Sequence, residues 1–162
     1  MISESQAVAE FKRSWEFIRG MTLDFIEGVP ADKWGFTPEG TCSSLAKQFR
    51  HMVWVSGLYN AALREGKTDL SKKKSFYGGS LEKKEILAGL RQTDTDLNSI
   101  LDNLEKIDLG HFQIDHFGMR MGFVEFTHVI IQHESIHQGL WSLYARLGGF
   151  ATPKGWKENW EL

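Results

Sequence analysis

Four long stretches of this chain set apolar side chains at alternating spacings of three and four, and no segment between them sustains a strand pattern. That period is the strongest constraint on the fold, because it lets long helices bury one face against each other and offers no sheet for a core. The first stretch opens at Ser3, with Gln6 three residues later as in a capping box, and carries Val8, Phe11, Trp15, Ile18, Thr22 and Phe25 before Gly28-Val29-Pro30 stops it. A loop with Trp34 and Pro38 leads to Thr41-Cys42-Ser43-Ser44, several of which can cap the second stretch. Its stripe is Leu45, Phe49, Met52, Ser56, Tyr59 and Leu63.

Residues 64–80 are polar, contain Gly78-Gly79 and read as a long connection. Ser80 is the expected cap of the third helix, whose stripe is Ile86, Leu90, Thr93, Leu97, Ile100 and Leu104. The stretch from Asp108 to Gly122 alternates loosely and has room for one short hairpin. The fourth helix is expected from about Gly122 to Leu147, with Gly148-Gly149 as its C-terminal signal. The reading is an all-α four-helix bundle with a crossover connection between helices two and three. It forms one domain over residues 1–162, whose tail of residues 150–162, with Pro153, Trp156 and Trp160, packs back on the body.

Composition narrows the function. With 19 Lys+Arg against 21 Asp+Glu, no basic surplus points to nucleic acid or to an anionic membrane; Lys72-Lys73-Lys74 is the one local run. A single cysteine, Cys42, excludes a disulfide framework and a Cys-rich metal site. No apolar run reaches membrane-spanning length, and Met1-Ile2-Ser3-Glu4-Ser5 has neither the basic nor the apolar part of a signal peptide. A cytoplasmic protein is expected.

The chemistry lies in the fourth helix. Its stripe reads Phe126, Ile130, His133, His137, Leu140 and Tyr144, so two imidazoles stand one turn apart on one face. Protonating both there would set like charges against each other, whereas a divalent ion uses both rings as neutral ligands at chelating spacing. His51, on the second helix in the row Gln48, His51, Val55, Leu58, is the third candidate. If the two helices are neighbours, three imidazoles converge and leave a fourth position open, the pattern of catalytic metal sites. Surface roles are expected for His111, His116 and His128.

Residues 133–137 also spell His-Glu-Ser-Ile-His, the H-E-x-x-H of zinc peptidases, in which the glutamate serves as general base. That reading needs a further ligand, and Glu158 lies 21 residues beyond His137. The absence of a sheet edge for a peptide, and the break at Gly148-Gly149 and Pro153, speak against it.

Taken along most of its length, the chain resembles the DinB family. The residues that carry the resemblance are His51 in Leu45-Ala-Lys-Gln-Phe-Arg-His-Met, then His133-Glu-Ser-Ile-His137-Gln-Gly139, and the ending Leu147-Gly148-Gly149-Phe-Ala-Thr-Pro153. The resemblance implies a four-helix bundle with three histidines on a divalent metal, often zinc or nickel, and commonly a homodimer. Relatives include enzymes that transfer or isomerise with low-molecular-weight thiols such as bacillithiol and mycothiol. Many members have a glutamine directly after the glycine that follows the second ligand; here that residue is Leu140, with Gln138 before the glycine. Expected metal ligands are thus His51, His133 and His137. Glu134 is the candidate proton shuttle, and Trp54, Val55, Leu58, Trp141 and Tyr144 the candidate apolar wall of a substrate pocket. A metal-dependent S-transferase, a metal-dependent hydrolase and a non-catalytic metal-binding bundle all remain open on the sequence.

Overall fold

Helix α1 (Glu4–Gly28), α2 (Leu45–Glu65), α3 (Lys83–Leu104) and α4 (Phe123–Gly148) coincide with the four periodic stretches. A computed structural model describes them, covering residues 4–39, 43–71 and 79–160. The Ser3 cap, Cys42 and the Lys72-Lys73-Lys74 run lie outside the described residues. Every apolar position named for the first two stripes is buried, as are Ile86, Leu90, Leu97, Ile100 and Leu104 of the third. Helix α3 starts two residues later than expected: Glu82 is its N-cap, and the Ser80 hydroxyl instead accepts from the Glu82 N–H. At the end of α4, Gly149 adopts φ +69°, the left-handed conformation that returns its N–H to the last turn at little cost only for glycine.

The contacts fix both neighbours and directions. Helix α1 packs against α3 and α4, and α2 against the same two, so α1 and α2 sit on one diagonal of the bundle. Lys12 meets Asp102, Arg19 meets Asp94 and Glu27 meets Arg91, so α3 runs antiparallel to α1. Phe11 touches Phe123 and Phe25 stacks on Trp141, so α4 runs parallel to α1. Helix α2 opposes α4, through Gln48 with Trp141 and Tyr59 with Phe126. Arg50 reaches Gly79, Asn60 reaches Thr93 and Arg64 pairs with Asp96, so α2 and α3 point the same way. A parallel pair forces its connection to run back along the bundle, over about 30 Å for a helix of α2's length. The expected crossover is therefore present, with an up-down-down-up order.

The crossover begins on the hairpin. Strands β1 (Ile114–His116) and β2 (Met119–Met121) are joined by Phe117 and Gly118, both at positive φ as a two-residue primed turn requires. Asp115 N donates to Gly66 O and Thr68 N to Asp115 O, which stitches the end of α2 to β1. Here one expectation fails: His116 is buried, with its Nδ1 2.9 Å from the Thr68 hydroxyl. The hairpin folds inward against α2, so a residue from an irregular stretch becomes part of the interior. His111 and His128 are exposed as expected. Helix α5 (Lys154–Trp160) lays the tail back on the bundle: Trp156 is fully buried, its Nε1 donates to Met21 O and its ring lies 4.9 Å from Phe25.

Candidate metal centre

Where α2 and α4 pack antiparallel, His51 comes opposite His133 and His137. One ring nitrogen from each lies within 4.8 Å of the others, the only such group of three or more among the described residues. The ring centroids form a near-equilateral triangle of 5.3, 5.1 and 4.8 Å, and the Nε2 atoms of His51 and His133 are 3.4 Å apart. Three imidazoles bound at ~2.1 Å in a tetrahedral arrangement require nitrogens about 3.4 Å and centroids about 5 Å apart. His137 Nδ1 is also buried with no hydrogen-bond partner among the described residues. On both counts the cluster fits a divalent ion.

Each ring is held from behind by an aromatic side chain. Trp54 lies 5.3 Å from His51, Tyr59 meets His133 edge-on at 5.8 Å, and Trp141 lies 5.9 Å from His137. Trp141 is fixed in turn, since its Nε1 donates to Gln48 Oε1 while Gln48 Nε2 donates to Ser43 O. The Tyr144 hydroxyl donates to the same carbonyl. Burial, with the neighbouring imidazoles adding to it, pushes His133 down to about 4, and burial with His51 does the same for His137. At neutral pH both are uncharged and ready to bind a cation. Burial pushes the Tyr59 phenol up to about 12, so it stays protonated.

Glu134 does not reach this cluster. It is buried on the core-facing side of α4, its Oε1 2.5 Å from the Thr22 hydroxyl that donates to it and 3.0 Å from Arg19 Nη1. Arg19 also pairs with Asp94, donates to Ser56 Oγ and lies over the Trp15 ring, while Gln138 donates to Thr22 Oγ1 and Ile18 O. Burial raises the carboxyls of both Glu134 and Asp94 against the pull of Arg19. The proton-shuttle expectation is therefore corrected. A residue adjacent to a ligand on a helix points about 100° away from it, here into the core against α1. Glu158 is likewise remote, on α5 in an exposed pair with Lys154, so the peptidase pattern has neither its base nor its further ligand here.

The expected pocket wall divides. Trp54 and Tyr144 line a groove of about 1090 Å³ that opens from His51 and His137, and Trp141 sits beneath it against His137. Val55 and Leu58 are core residues and do not border the groove. Leu140, placed on the inward stripe by the sequence, instead stands 42% exposed on the groove wall with Leu143 and Leu147. The buried stripe of α4 is Phe126, Ile130, Glu134, Gln138, Trp141 and Ala145, and the two histidines sit half-buried at its edge. Sequence reading missed that the two polar residues continue this stripe, although their spacing of four steps shows it.

Comparison with known proteins agrees with the geometry. Residues 14–140 match the model of the DinB superfamily. The fold is similar to the crystal structure of a DinB-like protein, YjoA, from Bacillus subtilis, with a TM-score of 0.67 and 19% identity, over 89% of this chain and 94% of that one. No curated protein matches. A family match over most of the length, the same fold, and three histidines gathered from α2 and α4 together establish that this chain belongs to the DinB superfamily.

Proposed function

We propose that this chain is a divalent-metal-dependent enzyme, with zinc or nickel held by His51, His133 and His137, that joins the sulfur of a small thiol to an electrophile. The observation that carries the reading is the convergence of three imidazoles, two of them held neutral by burial, at one end of an open groove. When bound by neutral ligands alone, a divalent ion keeps its double charge and favours the anionic form of a thiol or of water. The chain supplies the rest. Helices α2 and α4 fix the rings, Trp54 and Trp141 shield them, and the groove admits substrate from one side. In the transfer the sulfur–hydrogen bond breaks and its proton leaves to solvent through the open groove. The sulfur electron pair forms the new bond to carbon as the bond from that carbon to the electrophile's leaving group breaks, and the leaving group departs with that bonding pair. No carboxylate among the described residues borders the groove to act as a base. Low-molecular-weight thiols are kept reduced in the cytosol, so the reading carries a cytoplasmic setting.

The test uses cobalt-substituted protein titrated with bacillithiol, glutathione and a simple thiol. A sulfur-to-cobalt charge-transfer band that saturates with one of them is the expected result. Absence of the band with every thiol, alongside metal-dependent binding of carboxylates or phosphates, would favour hydrolysis. Bound metal with no ligand response at all would leave a non-catalytic metal-binding bundle.

A further inference from the structure

The groove beside the histidines has two unlike walls. From His51 toward its N-terminus, α2 lines it with Arg50 and Lys47; from His137 toward its C-terminus, α4 lines it with Leu140, Leu143 and Leu147. Because the helices are antiparallel, both walls run from the histidine cluster toward the same end of the bundle. From His137 to Leu147 the rise along α4 is about 15 Å, and from His51 to Lys47 it is about 6 Å along α2.

The charge of this groove departs from that of the molecule. The chain as a whole has more acidic than basic residues, yet the charged side chains that line the groove are both cationic. Neither Lys47 nor Arg50 is paired with a carboxylate among the described residues. Arg50 Nη1 donates to the Gly79 carbonyl, which sets the guanidinium against the groove without neutralising it. Opposite them, Leu140, Leu143 and Leu147 are 42%, 49% and 59% exposed, a continuous apolar wall that water covers poorly. A solvated cation pair facing an open leucine wall suits one kind of occupant: an elongated molecule with an acidic group on one side and hydrocarbon on the other.

We propose that the groove selects an amphipathic organic anion, with Lys47 and Arg50 as the specificity-determining residues that hold its acidic group about one helical turn from the histidines, and with the α4 leucines covering its apolar part. The inference deepens the enzymatic reading above and rests on it for the reaction, but the selection itself belongs to the groove and acts with or without metal. Lys47 binds as a point charge and Arg50 as a fork, so the pair accepts a carboxylate or a phosphate.

The test compares octanoate with octanol by calorimetric titration of metal-free and of metal-loaded protein. A Lys47→Ala/Arg50→Ala variant and a Leu143→Asp variant are measured beside the wild type, and folding of each is checked by circular dichroism. The expected result is that metal-free wild type binds octanoate at least tenfold more tightly than octanol. The double variant loses that preference while keeping its octanol affinity and its full metal content, and Leu143→Asp weakens both ligands. Equal affinities in the metal-free wild type, or a preference that survives in the double variant, would overturn the proposal. A preference seen in a protein that takes up no metal would sustain the groove and sink the metal-dependent enzyme, so the two failures are told apart.

Discussion

Glu134 and His133 are neighbours in sequence, yet one faces the core against α1 and the other the histidine cluster against α2. The glutamate closes a buried network with Arg19, Asp94 and Thr22, in which one guanidinium faces two carboxyls raised by burial. Replacing Glu134 by Gln should therefore cost about 1–3 kcal/mol in urea unfolding while leaving metal content unchanged, since a buried charged partner is lost but no ligand is. Unchanged stability with loss of thiol binding would place the carboxylate at the reacting atoms instead. The histidines make a pH prediction on the metal-free protein. Their folded values lie near 4, below the ordinary 6.5 of an unfolded chain, so the unfolded state takes up protons first. Their contribution to stability is complete above pH 6.5 and is lost as pH falls toward 4. Urea midpoints measured between pH 7.5 and about 4.5 should fall in wild type and fall much less in a His133→Ala/His137→Ala variant; parallel curves would contradict the burial argument.

At the scale of elements, the helices were legible because their stripes are made of large apolar residues with a 3.6 period. The order of packing was not, because periodicity fixes which face is buried and not which neighbour buries it. Thus Phe49 and Leu97 were placed correctly as core, while Leu140 and the two α4 histidines were given one stripe although Leu140 stands on the wall of a groove and the histidines at the edge of the core. His116 escaped for a related reason: a three-residue strand carries too little pattern to show its inward side. The crossover could be inferred only as room in the chain, and contacts such as Asn60 with Thr93 were needed to establish it. One device at its end is testable. Lys83 donates to Glu27 O and Val29 O, supplying a cation to the carbonyls that end α1 and follow it, and burial lowers its ammonium. Lys83→Met should lower stability by about 1 kcal/mol and leave metal binding intact. An unchanged urea midpoint would show that water replaces this cap without loss.

At the scale of the molecule, α1 and α4 run parallel, and Phe17 on the first and Ile136 on the second are each about half exposed. We propose that exposed apolar side chains of this kind pair two copies, as the resemblance to the family implied, and light scattering at micromolar concentration should give twice the chain mass. A particle of 18.5 kDa would contradict it. The bundle matters most because it brings together residues 82 positions apart, His51 and His133, at hydrogen-bonding range. His51 was legible as the third candidate although it lies one step off its own stripe; what periodicity could not show is that α2 and α4 are neighbours, which the family resemblance implied. Everything proposed about reaction and substrate depends on that convergence. The most direct measurement is elemental analysis of purified wild-type protein beside His51→Ala, with folding of both verified. One divalent ion per chain in the wild type, and loss of nearly all of it in the variant, is the predicted result. Metal retained in full by His51→Ala, or none taken up by the wild type from a supplied excess, would contradict the three-histidine centre.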